Sequence, residues 1–126
     1  MNINTEPSTP LVSIIIRTKN EERWIDHCLS AIARQSIKNF EIILVDNNSD
    51  DNSVKIAKKY TDKIINVAQF YPGKAINEGI RASSGKFVVI ISGHCIPKNN
   101  LWLKNLIEPL ENDRTGLLAG VYGRQE

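Results

Sequence analysis

The sequence predicts an α/β fold in which a doubly wound, mainly parallel sheet carries helices on both faces. Two observations predict it: short apolar runs rich in β-branched residues recur along the chain, and segments with helical spacing separate them. The runs at 11–16, 40–45 and 87–91 show little polar alternation, which is typical of strands buried on both faces of a parallel sheet. Alternating strands and helices in turn favour right-handed βαβ crossovers.

The strands are predicted from the apolar runs themselves. Four of them cover residues 11–16, 40–45, 63–68 and 87–91. A fifth is predicted near the end of the chain, in the stretch TGLLAGVYG at 115–123.

The first two helices are predicted from capping residues and apolar spacing. Asn20 can cap the first helix, and Glu21 in its first turn suits the positive end of the helix dipole. Its inward face is the apolar set Trp24, Cys28, Leu29, Ile32 and Ala33. Ser49, Asp50 or Asp51 can cap the second helix. Its inward set is Val54, Ala57 and Tyr60.

Two further helices follow the third and fourth strands. One covers 74–83 and stops before Gly85, while the next starts near Asn100 and is bent or shortened by Pro109. The inward side chains of these two helices are Ile76, Ile80, Trp102, Leu106 and Leu110.

Length and composition indicate one domain, with residues 1–10 as a flexible arm and 11–126 as the folded part. A net charge of +2 with scattered basic residues gives no reason to expect nucleic acid as a partner. Cys28 and Cys95 lack metal-ligand spacing and are predicted to be reduced thiols. No run approaches the roughly 20 apolar residues of a membrane span. We therefore expect a cytoplasmic protein whose association with membranes, if any, uses other parts or partners.

Polar residues follow three of the predicted strands, at 17–21, 46–51 and 92–94. Parallel strands end at a common edge, and ligands of such sheets bind beyond the carboxyl ends. The three loops should therefore converge on one site. The common nucleotide motifs are missing: no Gly-rich turn follows the first strand, and the chain has neither a P-loop nor a G-x-S-x-G elbow.

Two stretches carry a resemblance to a known family. VSIIIRTKNEERWIDHCLSAIARQSIKNFEIILVDNNSDDNS and GKAINEGIRASSGKFVVIISGHCIP resemble family-2 glycosyltransferases of the GT-A fold, over roughly residues 10–104. The family reads P-T-Y-N-E after the first strand, V-D-D-G-S-x-D at the second, then A-R-N-x-G and a strand that ends in D-x-D. The matching positions are Thr18, Asn20, Glu21, Asp46, Ser49, Asp51, Ala75, Asn77, Gly79, Gly85 and Pro97. The departures include Arg17, Lys19, Asn47 and Asn48.

The resemblance implies a donor site for a nucleoside diphosphate sugar. Thr18, Asn20 and Glu21 would line the nucleoside pocket, Asp46 would hydrogen-bond the base, and Lys74 would meet the diphosphate beside free helical N–H groups. The predicted site residues are Thr18, Asn20, Glu21, Asp46, Asn48, Lys74, Ser92, Gly93 and His94. Five of these have ordinary alternatives. Asp46 and Asn48 could be turn formers, Glu21 a first-turn acid, Lys74 a solvated lysine and His94 a structural histidine.

Metal dependence is left open by the same resemblance. The D-x-D acids of the family bind Mg²⁺ or Mn²⁺, whereas this chain has Ser92 and His94 in their places. Magnesium prefers oxygen ligands and imidazole suits manganese. His94 is therefore predicted to face the diphosphate, either as a metal ligand or as a cation.

The implied reaction is transfer of the sugar to an acceptor hydroxyl, with inversion, in polysaccharide or glycoconjugate biosynthesis. The acceptor would be a sugar or a lipid-linked group, and a general base would take its proton. We expect that base outside this chain, in an acceptor-binding half that follows it. The alternatives are a non-catalytic nucleotide or nucleotide-sugar binding module and a nucleotidyltransferase.

Overall fold

A computed structural model describes residues 9–68 and 72–113 of the chain. The elements in chain order are β1 (Val12–Thr18), α1 (Ile25–Ala33), β2 (Phe40–Asp46), α2 (Ser53–Ala57), β3 (Ile64–Asn66), α3 (Pro72–Ala82), β4 (Phe87–Ser92) and α4 (Trp102–Glu111). The predicted fifth strand at 115–123 and most of the predicted arm at 1–10 lie outside the described residues.

The four strands form one parallel sheet in the order β3-β2-β1-β4. Val12 lies opposite both Phe40 and Phe87, and Thr18 lies opposite Asp46. The chain moves outward from β1 to β3 on one side and returns to β4 on the other, so the strand order reverses between β1 and β4. The predicted doubly wound parallel sheet is confirmed, and its switch point lies at the carboxyl ends of these two strands.

Helices cover both faces of the sheet, as predicted. On one face, buried side chains of β1 and β2 pack with α1, α2 and α4 in a cluster that includes Ile14, Leu29, Leu44, Ala57 and Leu103. On the other face, Ile15, Ile43 and Val45 pack with Ala75 of α3. Alternate residues of β1 therefore enter different cores, which explains why its sequence is apolar throughout.

The predicted start of α1 is wrong. Asn20 has a left-handed φ of 50° and lies outside the helix, whose N-cap is Trp24. The N–H groups of both Trp24 and Ile25 donate to the carbonyl of Glu21, so a turn precedes the helix. The prediction that Trp24 and Ala33 face inward is also wrong, because the buried face starts at Ile25 and both side chains lie off it.

The predicted cap of α2 is corrected in part. The N-cap position is Asn52, which forms no side-chain capping bond. Ser49 and Asp50 bond to the loop after β1. Asp51 also bonds to that loop, and its Oδ1 accepts the N–H of Ser53, the first residue of α2. The predicted inward set is confirmed, since Ala57 is buried and Val54 and Tyr60 pack partly buried against the core.

The inward face of α3 differs from the prediction. Ala75 and Gly79 are buried, whereas Ile76 is half-buried and Ile80 is 43% exposed. A Cβ built on Gly79 would lie 2.6 Å from Cγ2 of Ile15, so the helix rests closer to the sheet than a larger residue would allow. This close approach places the small residues inward and turns Ile80 towards solvent.

The inward face of α4 is displaced by one residue. Leu103 and Ile107 are buried, and the helix continues through Pro109 to Glu111. The predicted inward residues are only partly buried: Trp102, Leu106 and Leu110.

Two expectations about β4 are corrected. Gly85 does not stop α3, which ends at Ala82; a Cβ on Gly85 would lie 2.5 Å from the backbone nitrogen of Ser13, so it permits close approach to β1. Burial on both faces is wrong for this strand, since Val88 is 38% and Ile90 is 41% exposed. Within the described residues β4 is an edge strand, and α3 packs on β1 and β2 instead.

Candidate functional site

The carboxyl ends of β1, β2 and β4 meet at one edge of the sheet. The N–H of Asn47 donates to the carbonyl of Thr18 at 2.8 Å, and the N–H of Gly93 donates to the carbonyl of Arg17 at 2.9 Å. Thr18 lies directly opposite Asp46. The predicted convergence of the three loops is therefore present in the structure.

Hydrogen bonds fasten the loop after β1 to the loop after β2. Asn20 and Asn48 have left-handed φ values of 50° and 51°, a conformation that asparagine tolerates better than most residues. Successive backbone N–H groups of the first loop donate to side chains of the second, in the pairs Asn20–Ser49 at 2.9 Å, Glu21–Ser53 at 2.8 Å and Glu22–Asp51 at 3.0 Å. The two segments therefore form one hydrogen-bonded border of the site.

Asp46 is 2% exposed and is held by a neighbouring residue. Its Oδ2 accepts the backbone N–H of Ser49 at 2.9 Å, and its Oδ1 accepts the Ser49 hydroxyl at 2.6 Å. The carboxylate therefore shapes the turn after β2. Each carboxylate oxygen has a further lone pair with which it can accept a hydrogen bond.

His94, in the turn after β4, lies beside Glu21 of the loop after β1. Its Nδ1 is 3.0 Å from Oε1 of Glu21, and its side chain is 58% exposed. A Cβ built on the preceding residue, Gly93, would lie 3.0 Å from Oγ1 of Thr18 and 3.3 Å from Cγ of Glu21. Glycine at this position therefore lets the turn after β4 lie against the loop after β1. The sequence offered no obvious partner for His94; the structure provides one in Glu21.

Arg17 and Thr18 carry polar atoms without partners at this edge. Nε of Arg17 and Oγ1 of Thr18 are buried and make no hydrogen bond. A terminal nitrogen of Arg17 donates to Oγ of Ser92 over 3.4 Å, a long contact. Orphaned polar atoms are uncommon in protein interiors and require an explanation.

The remaining predicted site residues lie on the periphery. Asn20 and Asn48 are exposed, and the carbonyl of Asn48 accepts a hydrogen bond from Nζ of Lys19 at 2.9 Å. Lys74 is exposed in the first turn of α3, which follows the carboxyl end of β3. The predicted site residues did not include Arg17 or the fully buried Ser53. Arg17 was noted only as a polar residue after β1 and a departure from the family pattern, and nothing in the sequence pattern marks Ser53.

Two depressions in the described residues lie elsewhere. One of about 330 Å³ is lined by residues 40–42 and 60–63, at the amino end of β2. Another of about 300 Å³ lies between α1 and residues 97–100. Neither adjoins the carboxyl edge, where parallel sheets bind ligands, so we assign the site by topology and chemistry.

A parallel α/β sheet whose polar loops gather at the switch point belongs to the class of nucleotide-binding folds. Comparison with known proteins narrows this class. The Glycosyl transferase family 2 profile matches residues 13–126, and the chain belongs to that family. The resemblance found in the sequence is thereby confirmed.

Relatives and solved structures agree with this assignment. The chain is 35% identical over 118 residues to the uncharacterized glycosyltransferase EpsJ of Bacillus subtilis, covering 90% of this chain and 34% of EpsJ. It is similar to TarS 1–349 of S. aureus in complex with UDP-GlcNAc, with 28% identity, a TM-score of 0.68, and coverage of 78% of this chain and 31% of that one. The chain thus spans about a third of the length of EpsJ and of TarS 1–349.

A third comparison concerns the fold alone. The mannosyltransferase from Pyrobaculum calidifontis in complex with GDP-Man and Mn²⁺ has a TM-score of 0.77 at 23% identity, covering 86% of this chain and 34% of that one. The GT-A type of fold predicted from the sequence is confirmed by these neighbours. No helix in the described part of the chain is long and apolar enough to cross a membrane.

Proposed function

We propose that this chain forms the donor-binding part of a glycosyltransferase that uses a nucleoside diphosphate sugar. The observation that carries the proposal is the meeting of Thr18, Asp46 and His94 at the carboxyl edge, in a chain of glycosyl transferase family 2. TarS, which this chain resembles, was crystallised with UDP-GlcNAc and with UDP. We extend that ligand class, but not the particular sugar or base, to this site.

The predicted residues after β1 and β2, apart from Asn48, would contact the nucleoside. The buried carboxylate of Asp46 would accept a hydrogen bond from the base or from a ribose hydroxyl. Thr18, Asn20 and Glu21 would border the nucleoside.

The phosphates would lie nearer to β4 and α3. Ser92, Gly93 and His94 end β4, and Lys74 lies in the first turn of α3, where free N–H groups favour anions. Sugar transfer would then follow when a general base deprotonates the acceptor hydroxyl and the hydroxyl attacks the anomeric carbon, with inversion. We place that base, and the acceptor site, outside this chain.

The acidic metal site implied by the family does not fit the residues present here. Ser92 offers a neutral hydroxyl in place of a carboxylate, and Nδ1 of His94 is bonded to Glu21, which leaves only Nε2 of the imidazole as a ligand. Asp46 directs both carboxylate oxygens at Ser49. Within residues 9–68 and 72–113, no group of three His, Cys, Asp or Glu side chains could hold a metal ion. We therefore derive no step through a metal, and His94 stays a candidate for contact with the diphosphate.

The test is calorimetry of the purified protein with UDP, GDP and their sugars, each with EDTA and with Mn²⁺. We expect one nucleoside diphosphate to bind, and Asp46→Ala to weaken that binding by about 1–3 kcal/mol. Ser49→Ala is the comparison variant, because it removes the hydroxyl that bonds to Asp46 and accepts the N–H of Asn20, and leaves the carboxylate and the Ser49 N–H in place.

Circular dichroism must show that both variants remain folded. If Asp46→Ala and Ser49→Ala weaken binding equally, Asp46 acts only as a turn former. If wild-type protein binds no nucleotide under any condition, the donor-binding proposal is wrong.

A further inference from the structure

We propose that Arg17 binds the donor diphosphate and supplies the positive charge that a divalent ion supplies in the acidic form of this site, so that nucleotide binding needs no metal. The inference rests on the proposed donor-binding function. It adds Arg17 to the binding residues and states that binding is independent of a metal.

Arg17 is placed for this role by strand geometry. It is the penultimate residue of β1 and pairs in register with Ser92, the last residue of β4. Side chains alternate along β1, so Arg17 lies on the same face of the sheet as Ile15, whose side chain packs in the cluster with Ala75 of α3. Its guanidinium therefore lies at the switch point, on the side of the sheet that α3 covers.

The half-buried guanidinium has few protein partners among the described residues. Its single side-chain hydrogen bond among the described residues is the 3.4 Å contact to Ser92, and its Nε is buried without a partner. A guanidinium has five N–H donors and stays charged at any ordinary pH. A buried donor without an acceptor is costly, and a phosphate arriving at this edge would give the guanidinium acceptors arranged for two parallel bonds.

The residue opposite Arg17 decides whether its charge is available. An aspartate in place of Ser92, as in the D-x-D pattern, would pair with the guanidinium and neutralise it. The hydroxyl of Ser92 leaves that charge free for a ligand. The loss of the acid at 92 and the presence of arginine at 17 thus act in the same direction: both remove the need for a metal between the protein and the phosphates.

The experiment measures binding of UDP, GDP, uridine and guanosine by calorimetry, in EDTA and then in Mn²⁺. The variants are Arg17→Gln and Arg17→Lys. The matched control is Arg81→Gln, which removes one positive charge from an exposed pair with Glu78. We expect the wild type to bind a nucleoside diphosphate in EDTA, with less than about a twofold gain from Mn²⁺. Arg17→Gln should weaken that binding about tenfold or more.

The nucleoside separates this role from a merely structural one. Affinity for uridine or guanosine should be unchanged in Arg17→Gln, while Arg17→Lys should retain part of the diphosphate affinity and Arg81→Gln all of it. Nucleotide binding that requires Mn²⁺, or an Arg17→Gln variant that binds like Arg81→Gln, would overturn this inference and leave the donor-binding function intact. Absence of all nucleotide binding would overturn both.

Discussion

Glu41 forms a polar junction on which the amino half of the sheet depends. Its side chain is 9% exposed and pairs with Nζ of Lys63. Its carboxylate also accepts hydrogen bonds from the hydroxyl of Ser13 and from the backbone N–H and hydroxyl of Ser84. Burial alone would raise the pKa of this carboxyl, but these bonds outweigh it and lower the pKa from 4.5 to about 2.

The lowered pKa sets the size of the expected effect. At about 1.4 kcal/mol per pKa unit, the shift corresponds to an upper bound of about 3 kcal/mol. The Lys63 side chain is 53% exposed. Solvent screens such a contact, so we expect about 2 kcal/mol. Because the folded-state pKa lies below the ordinary value, this stabilisation is complete above pH 4.5 and is lost as the pH falls towards about 2.

Urea unfolding of wild type and Glu41→Gln at several pH values tests the reasoning. The variant should lose about 2 kcal/mol of unfolding free energy at pH 7, and the two curves should converge as the pH falls from 4.5 to about 2. Glu78→Gln is the control: that carboxylate pairs with Arg81, whose side chain is 74% exposed. It should change stability by less than about 0.5 kcal/mol. Equal stability at pH 7, or a difference that stays constant with pH, would refute the assignment.

Two further predictions concern packing and thiol chemistry. Gly85→Ala should destabilise the protein by about 1–3 kcal/mol in urea unfolding, because the new Cβ would lie 2.5 Å from the backbone nitrogen of Ser13. Gly73→Ala is the control and should not destabilise it, because a Cβ there would have nothing within 4 Å. Equal effects of the two substitutions would contradict the packing argument. Burial raises the pKa of the Cys28 thiol to about 12, with smaller contributions from Cys95 and Glu21. An aromatic disulfide reagent at pH 8 should therefore titrate only the exposed Cys95 in native protein and both thiols in urea, and two fast native thiols would contradict this.

The sheet was predictable because its signal is local. Runs of β-branched residues mark β1 and β2 directly, and the chain order of strands and helices leaves few parallel topologies. The edge position of β4 is different. Val88 and Ile90 look as apolar as Ile14, and no local pattern shows that α3 packs on β1 and β2 instead of β4.

The helix errors share a physical cause. Apolar spacing locates a face only to within one residue, so the predicted face of α4 missed Leu103 and Ile107. In α3 the sequence favoured isoleucine over glycine at the interface. The structure reverses this, since Gly79 contacts the sheet and Ile80 does not. Close packing of small residues depends on the partner surface, which no single segment contains.

The candidate site was predictable in its location and less so in its contacts. Topology alone brings the loops after β1, β2 and β4 to one edge, so Thr18 and Asp46 could be expected there. The Glu21–His94 pair joins residues from two different loops, and the spacing of the sequence gives no measure of that distance.

Arg17 shows what a comparison of patterns leaves out. Arg17 is a mismatch to the family pattern P-T-Y-N-E, and Ser92 is a second mismatch, to the pattern D-x-D. The register of β1 with β4 makes these two departures neighbours. Binding a diphosphate requires positive charge close to the phosphates. A guanidinium carries that charge without a metal and without the acids that would bind one. Two mismatches that each weaken the resemblance can therefore together meet this requirement in a different way.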